Sequence, residues 1–337
     1  MESLLRPPLF EVARPPIPQP PDALIGRHAA VAEIERLLRG PARCVTLVGP
    51  PGIGKTRLAL AIAHRLDKEL AAGVWWVPLL DATKPEDVGR RLQRALDIRE
   101  ESGVDPVPSA VARLGRQVAL LVFDNFEHVV DARALVSGIV SATPNVAVLV
   151  TSREPLGILA EHVVGVPGLA VPDAVSLFVA RAQMARAGFH LTDGNRPDVE
   201  AACARLDGIP LAIVLAAGAV RTVDPAGLVR RLAVGADPSA GAPLPGPAGG
   251  LAPGPADMPS HHRTLSEAIA SSWNLLGEEA RRLLASAAVC SGGFTAEAAA
   301  AVEGCGLHAA WQLLDELARK SLAESRPAPS TASHSSG

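Results

Sequence analysis

Tyrosine is absent from the 337 residues and all aromatics together reach only 3% of the chain, beside abundant Ala, Arg and Pro. That scarcity reads as a bias of composition and assigns no function. A basic excess is missing too. The net charge of -3 and pI near 6.3 give no overall positive field, which argues against nucleic acid as the partner that bulk electrostatics would select. Cysteine is sparse: Cys44, Cys203, Cys290 and Cys305 form no C-x-x-C pair, so buried free thiols are expected in preference to zinc ligands or disulfides, which fits a reducing cytoplasm. His261 and His262 have no acidic or cysteine neighbour at ligand spacing and read as a solvated pair. No apolar run approaches the roughly 18 residues that span a bilayer, and the first residues lack a basic stretch followed by an apolar core. A cytoplasmic protein without a membrane partner is expected.

What is present is enough apolar side chain, 48%, for two or three packed domains, and one stretch that organises them. The β-branched run Val45 to Val48 breaks at Gly49, passes through a Gly/Pro loop, and enters an apolar-periodic segment beginning at Lys55 with Leu58, Ile62 and Leu66. Strand, loop and helix in that order are what the pattern G-x-x-x-x-G-K-[ST] needs, here Gly49, Gly54, Lys55 and Thr56. Loop amides and a helix N-terminus then face one point where a polyphosphate can sit. Gly52 and Gly54 allow the backbone to approach, Lys55 reaches the β- and γ-phosphates, and the Thr56 hydroxyl ligates magnesium.

Around this stretch the chain divides at 1–21, a Pro-rich tail; 22–170, alternating strands and helices; 171–235, helices alone; 236–262, a Pro/Gly linker; 263–326, a second helical unit; and 327–337, a Pro/Ser-rich end. Strand candidates are Val74 to Leu80, Val118 to Asp124, Asn145 to Arg153 and Glu161 to Val166, giving a parallel three-layer α/β sheet. Pro85 opens a helix, whereas Asp97 to Val107 reads as a turn-rich loop. Asp173 is expected to cap a helix carrying Val175 and Phe178; Pro197, Pro210 and Asp224-Pro225 open the next three. Later helices are expected along Leu265, Ile269, Trp273 and Leu276, from Leu283 to Cys290 with a stop at Gly292-Gly293, after a Thr295 cap, and from Trp311 to Leu322.

Asp124 ends a buried apolar strand, where a carboxylate needs a partner, and a magnesium carried by the nucleotide supplies one. Asn125 follows where many P-loop ATPases place a second acid. An amide is a poor base, so either Glu127 substitutes or hydrolysis is slow. Arg153 leaves a neighbouring strand on the same sheet edge, placed to sense the γ-phosphate.

With these residues in view, the chain resembles the nucleotide-binding core of the STAND class of signalling ATPases, in particular the NB-ARC-like domains of bacterial LuxR-type, SARP-type and kinase-linked regulators, relatives of the AAA+ ATPases. The resemblance spans about Leu24 to Leu322 and is carried by Val48 to Arg57, by Leu121 to Val129, by Thr151 to Leu156 and by Leu206 to Ala212, with Gly292 to Thr295 and Leu317 to Leu322 resembling a winged-helix segment. It implies that Ile25, Gly26 and Arg27 contribute to the base and ribose pocket and that Pro210 packs near the adenine. It implies that Gly49, Gly52, Ile53, Gly54, Lys55, Thr56 and Arg57 hold the phosphates and that Arg153 is the sensor. It also implies a switch in which ADP clamps the domains into a closed monomer and ATP releases them for self-association or for a signalling partner. His28 stands where an acidic residue usually follows the Gly-Arg pair, and the linker is long. The chain stops before the strands and wing that would complete a winged helix, so a truncated relative, a fragment or one half of a split system is expected.

Three readings follow. The first is an ATP/ADP switch with slow magnesium-dependent hydrolysis, using Lys55, Thr56, Asp124 and Arg153. The second is a nucleotide-locked interaction module that does not hydrolyse. The third, a DNA-binding ATPase, ranks last because acids outnumber bases between Arg263 and Arg326.

Overall fold

In a computed structural model of the chain, residues 14–20, 22–99, 105–234, 273, 276–287, 294–320 and 322–323 are described. The linker, the His261-His262 pair, Cys290 and Gly292-Gly293 lie outside them. Five parallel strands, β1 (Cys44–Val48), β2 (Val74–Pro78), β3 (Ala119–Asp124), β4 (Val146–Ser152) and β5 (Glu161–Gly165), form one sheet in the order β2-β3-β4-β1-β5. Helices cover both faces: α1 (His28–Arg39), α2 (Lys55–Leu66), α3 (Pro85–Ala95), α4 (Pro106–Leu114) and α5 (Arg133–Ala142). The interiors of β1, β3 and β4 are buried on both sides, as parallel strands between helical layers must be, whereas the edge strand β5 is largely exposed. One core gathers Leu121, Phe123, Phe126 and Val136 on one face; the other gathers Val45, Leu47, Leu58 and Ile62. The architecture is the α/β, P-loop NTPase-like fold expected.

Strand order and register position the site. Because β4 lies between β1 and β3, Leu47 sits opposite Thr151 and Phe123 opposite Val150. The carboxyl ends of three strands, which lead into Gly49, Asn125 and Arg153, therefore open at one crevice, the place where open α/β sheets take ligands.

A helical layer follows: α6 (Val171–Ala185), α7 (Arg196–Arg205), α8 (Pro210–Gly218) and α9 (Pro225–Val234), closed around Phe178, Val199, Ile213 and Leu228. Ile209 packs against both this cluster and the α2 side of the sheet core, tying the two together. Further along are α10 (Glu278–Ala287), α11 (Ala296–Glu303) and α12 (Leu307–Arg319), joined through Leu276, Leu283, Ala310 and Leu317. Thr295 caps α11 as expected, its hydroxyl accepting from the Ala298 amide.

Three local expectations change. The stretch read as a loop through Val107 gives way to α4 at Pro106, where Asp105 accepts from the Val107 amide and Pro106 occupies the first turn, a cap-and-proline start that the sequence carried. Asp173 does not cap α6: the helix begins at Val171, and Asp173 lies within its first turn, close enough to Arg27 for its charge to act there. The last helix starts a turn earlier than Trp311, after Gly306, and leaves Trp311 exposed. Among the described residues no helix is long and apolar enough to cross a membrane.

Candidate functional site

The loop from Gly49 to Gly54 leaves β1 and turns directly into α2, so the first-turn amides of α2 and the positive end of its dipole face the crevice. Gly52 holds a φ of +77°, and a Cβ there would lie 2.7 Å from Leu211 Cβ of α8. The Leu211 amide donates to the Gly52 carbonyl at 3.2 Å. Pro210 approaches Gly54 from the same helix end. The helical layer thus grips the loop itself.

Lys55 is buried, and its ammonium donates to the Gly49 carbonyl at 2.7 Å and to Pro50 at 3.2 Å. Burial pushes its pKa down to about 8; nearby Glu127 opposes the fall, Arg153 adds to it, and Asp124 opposes it. Thr56 Oγ1 donates to Asp124 Oδ1 at 2.8 Å, and Thr151 Oγ1 donates to the same oxygen at 2.6 Å. The Thr151 hydroxyl also accepts from the Asn125 amide at 2.9 Å. Burial raises the Asp124 pKa, against the pull of the two hydroxyls. A hydroxyl and a carboxylate 2.8 Å apart fit magnesium, which takes few protein oxygens and completes its shell with phosphates and water. Thr56 and Asp124 would hold it, and it would neutralise phosphate charge. Among the described residues no group of three or more His, Cys, Asp or Glu offers a metal cage of its own.

Arg153 and Glu127 are both buried and paired, Nε to Oε1 at 3.1 Å. The sequence offers Glu127 only as a substitute base; the fold joins it to Arg153. Arg27, itself in a left-handed conformation at φ 67°, donates to the Ile53 carbonyl at 3.2 Å; burial lowers its pKa, and Asp173 opposes the fall. Ile25 packs with the helical layer and Gly26 abuts Asp173, so the 25–27 segment runs between that layer and the loop. Ile53 is buried in the core beneath the loop. Arg57, expected among the phosphate ligands, places its guanidinium on the carbonyl and carboxylate of Asp22. The other carboxylate oxygen of Asp22 pairs with Arg181 of α6. That bridge joins α2 to the helical layer and was not visible in the sequence.

The depressed Lys55 pKa sets a pH dependence. Between about 8 and its ordinary 10.5 the unfolded chain holds the lysine proton and the folded chain does not. Stability from this group therefore rises with pH across the window, by about 1.4 kcal/mol per unit, and is lost as pH falls through about 8. Few other amines or phenols titrate in this window, because the other lysines are only Lys68, Lys84 and Lys320 and tyrosine is absent. The Cys44 and Cys203 thiols, pushed to about 12 and about 11 by burial, slope the other way. Urea unfolding of wild type and Lys55→Met is expected to show their stability difference moving in favour of wild type from pH 8 upward; a flat difference refutes it.

A five-stranded parallel sheet opening onto a G-x-x-x-x-G-K-T cradle, backed by a Thr-Asp oxygen pair, defines a P-loop ATPase domain. The family model described as "AAA domain" matches residues 38–148. The chain belongs to the family of "Uncharacterized protein Rv0894" of Mycobacterium tuberculosis, to which it is 34% identical over 286 residues, covering 83% of this chain and 68% of that one. It is also 40% identical over 192 residues to "Putative HTH-type transcriptional regulator Rv0890c" of the same organism, covering 56% of this chain but only 22% of the regulator. Among solved structures it is similar to the STAND protein with a tetratricopeptide repeat sensor from Pyrococcus horikoshii, at TM-score 0.41 and 15% identity, over 94% of this chain and 42% of that one. It is likewise similar to Cdc6p from Pyrobaculum aerophilum, at TM-score 0.45 and 14% identity, over 91% and 89% of the two chains. The strand order and the loop, not these distant likenesses, define the fold.

Proposed function

We propose that the protein is an ATP/ADP-binding switch of the NB-ARC-like kind, with slow magnesium-dependent hydrolysis. In this reading residues 22–170 bind nucleotide and residues 171–235 act as the helical lever. One observation carries it: the N-terminal end of α8 is bonded to the phosphate loop, Leu211 amide to Gly52 carbonyl, so the loop that would seat a nucleotide is tied directly to the helical layer. A ligand shifts a two-state equilibrium only by its differential affinity. The γ-phosphate supplies such a difference through Lys55 and Arg153, both buried at the crevice. The region shared with an HTH-type regulator supports an output in transcriptional or signal-transduction control, through self-association or a signalling protein. Direct DNA contact by this chain has no support from its charge.

The reading is tested by identifying the nucleotide that copurifies and measuring mass and protease sensitivity near 205–225 with ADP and with a non-hydrolysable ATP analogue. ADP is expected to protect this segment in a monomer, and the ATP analogue to expose it. Identical protection, or no binding of either nucleotide, refutes the switch. Asn125, an amide following Asp124, favours a second reading as a nucleotide-locked binding module that does not hydrolyse; absence of phosphate release with intact binding would select it.

A further inference from the structure

We propose that Glu127 is the catalytic base of this site, accepting the proton of the water that attacks ATP, and that Arg153 positions it; this rests on the reading of the site as an ATP-hydrolysing one. The position after Asp124, from which an acid could act directly, holds Asn125, whose amide cannot take a proton. Asn125 adopts φ 66°, a left-handed turn that asparagine tolerates better than most residues. The turn sends the chain into a single tight helical turn, Phe126–His128. Phe126 is fully buried and meets Phe123 edge to face at 6.0 Å. With Phe126 fixed in the core, the following side chain is carried inward instead of into solvent.

Glu127 is accordingly 6% exposed. Its Oε1 takes the Arg153 Nε bond at 3.1 Å, while its Oε2 is buried with no hydrogen-bond partner. A carboxylate oxygen in that condition is costly unless something donates to it, and a water is the smallest donor that fits the need. The group also belongs to the phosphate side of the crevice: of the side-chain charges that act on Lys55, that of Glu127 is the strongest, and it acts on Asp124 as well. A carboxylate there only to balance Arg153 would not need a second oxygen left without a donor. In the step itself the water oxygen bonds to the γ-phosphorus as the bond from that phosphorus to the bridging oxygen breaks. The electron pair leaves with ADP, the water proton passes to Glu127 Oε2, and Glu127 later releases it to solvent.

The test uses the full chain with single-turnover phosphate release, alongside affinities for ADP and a non-hydrolysable ATP analogue. Glu127→Gln keeps shape and burial, so both affinities are expected to stay within about threefold while release slows by about 100-fold or more. Arg153→Lys keeps a cation for the γ-phosphate but loses the Nε bond to Glu127, so it is expected to lower kcat with less change in KM. Wild-type release by a folded Glu127→Gln, or loss of nucleotide binding in that variant, overturns the proposal. Should Glu127→Gln not fold, Glu127→Asp decides: a carboxylate drawn back by one methylene is expected to slow release about tenfold, and an unchanged rate overturns it. Wild-type protein that binds nucleotide but releases no phosphate sinks the base while leaving the switch, whereas protein that binds no nucleotide sinks both.

Discussion

Lys55→Met is expected to weaken nucleotide binding by roughly 100- to 1000-fold, about 3–4 kcal/mol, without lowering the stability of nucleotide-free protein at neutral pH. The two halves of this result have opposite physical origins. A phosphate group would take charge-assisted bonds from an ammonium that here spends its protons on the Gly49 and Pro50 carbonyls. Those carbonyls hold a buried cation whose pKa has fallen to about 8, a sign that its charge is expensive where it stands. Methionine fills similar volume without that charge, so the unfolding midpoint is expected to hold or rise. Calorimetric titration with ADP and thermal unfolding of the same sample check both halves. A variant that still binds ADP at wild-type affinity removes the loop from the function.

Gly208→Ala is expected to destabilise the chain by about 3 kcal/mol or more and to weaken ADP binding although it touches no phosphate ligand. Gly208 holds φ +64°, which costs a residue with a side chain roughly 1–2 kcal/mol. A Cβ there would lie 2.3 Å from the Leu169 carbonyl oxygen, a backbone atom that cannot rotate away. Facing it, the Leu169 amide donates to the Gly208 carbonyl at 2.8 Å, so the segment leaving β5 and the segment entering α8 interlock. Separating them moves Ile209, Pro210 and Leu211, the residues that reach the sheet core and the phosphate loop. Urea unfolding and ADP titration measure the two effects. Full stability in the alanine variant would mean that this junction is looser than its geometry states.

The parts of this molecule that were readable beforehand are those in which neighbours in sequence are neighbours in space. Strand, loop and helix from Cys44 to Leu66 depend on a local pattern, and so does the apolar run that ends at Asp124. Proline positions marked α3, α7, α8 and α9 for the same reason. The Asp105-Pro106 start of α4 is equally local, but the polar residues before it read as a loop. Other features were not legible at any level of care. The Glu127–Arg153 pair joins positions 26 apart through the β3–β4 register, which strand patterning alone does not fix. Arg57 follows the loop lysine and threonine and looks like part of their cradle, yet Asp22, 35 positions earlier, occupies it. Asp173 looks like a cap by spacing and lies instead beside Arg27.

The Asp22 carboxylate has one further implication. It is shared between Arg57 on α2 and Arg181 on α6, with one oxygen for each. A single carboxylate cannot follow two guanidiniums moving apart, so any rotation that separates the two helices must leave Asp22 with one of them. The side chain is about a third exposed, within reach of dissolved ions, so its hold weakens as ionic strength rises. The rate of such a rotation would then carry a salt dependence that the nucleotide contacts do not set, and the escaping arginine would identify which half of the molecule keeps the N-terminal segment.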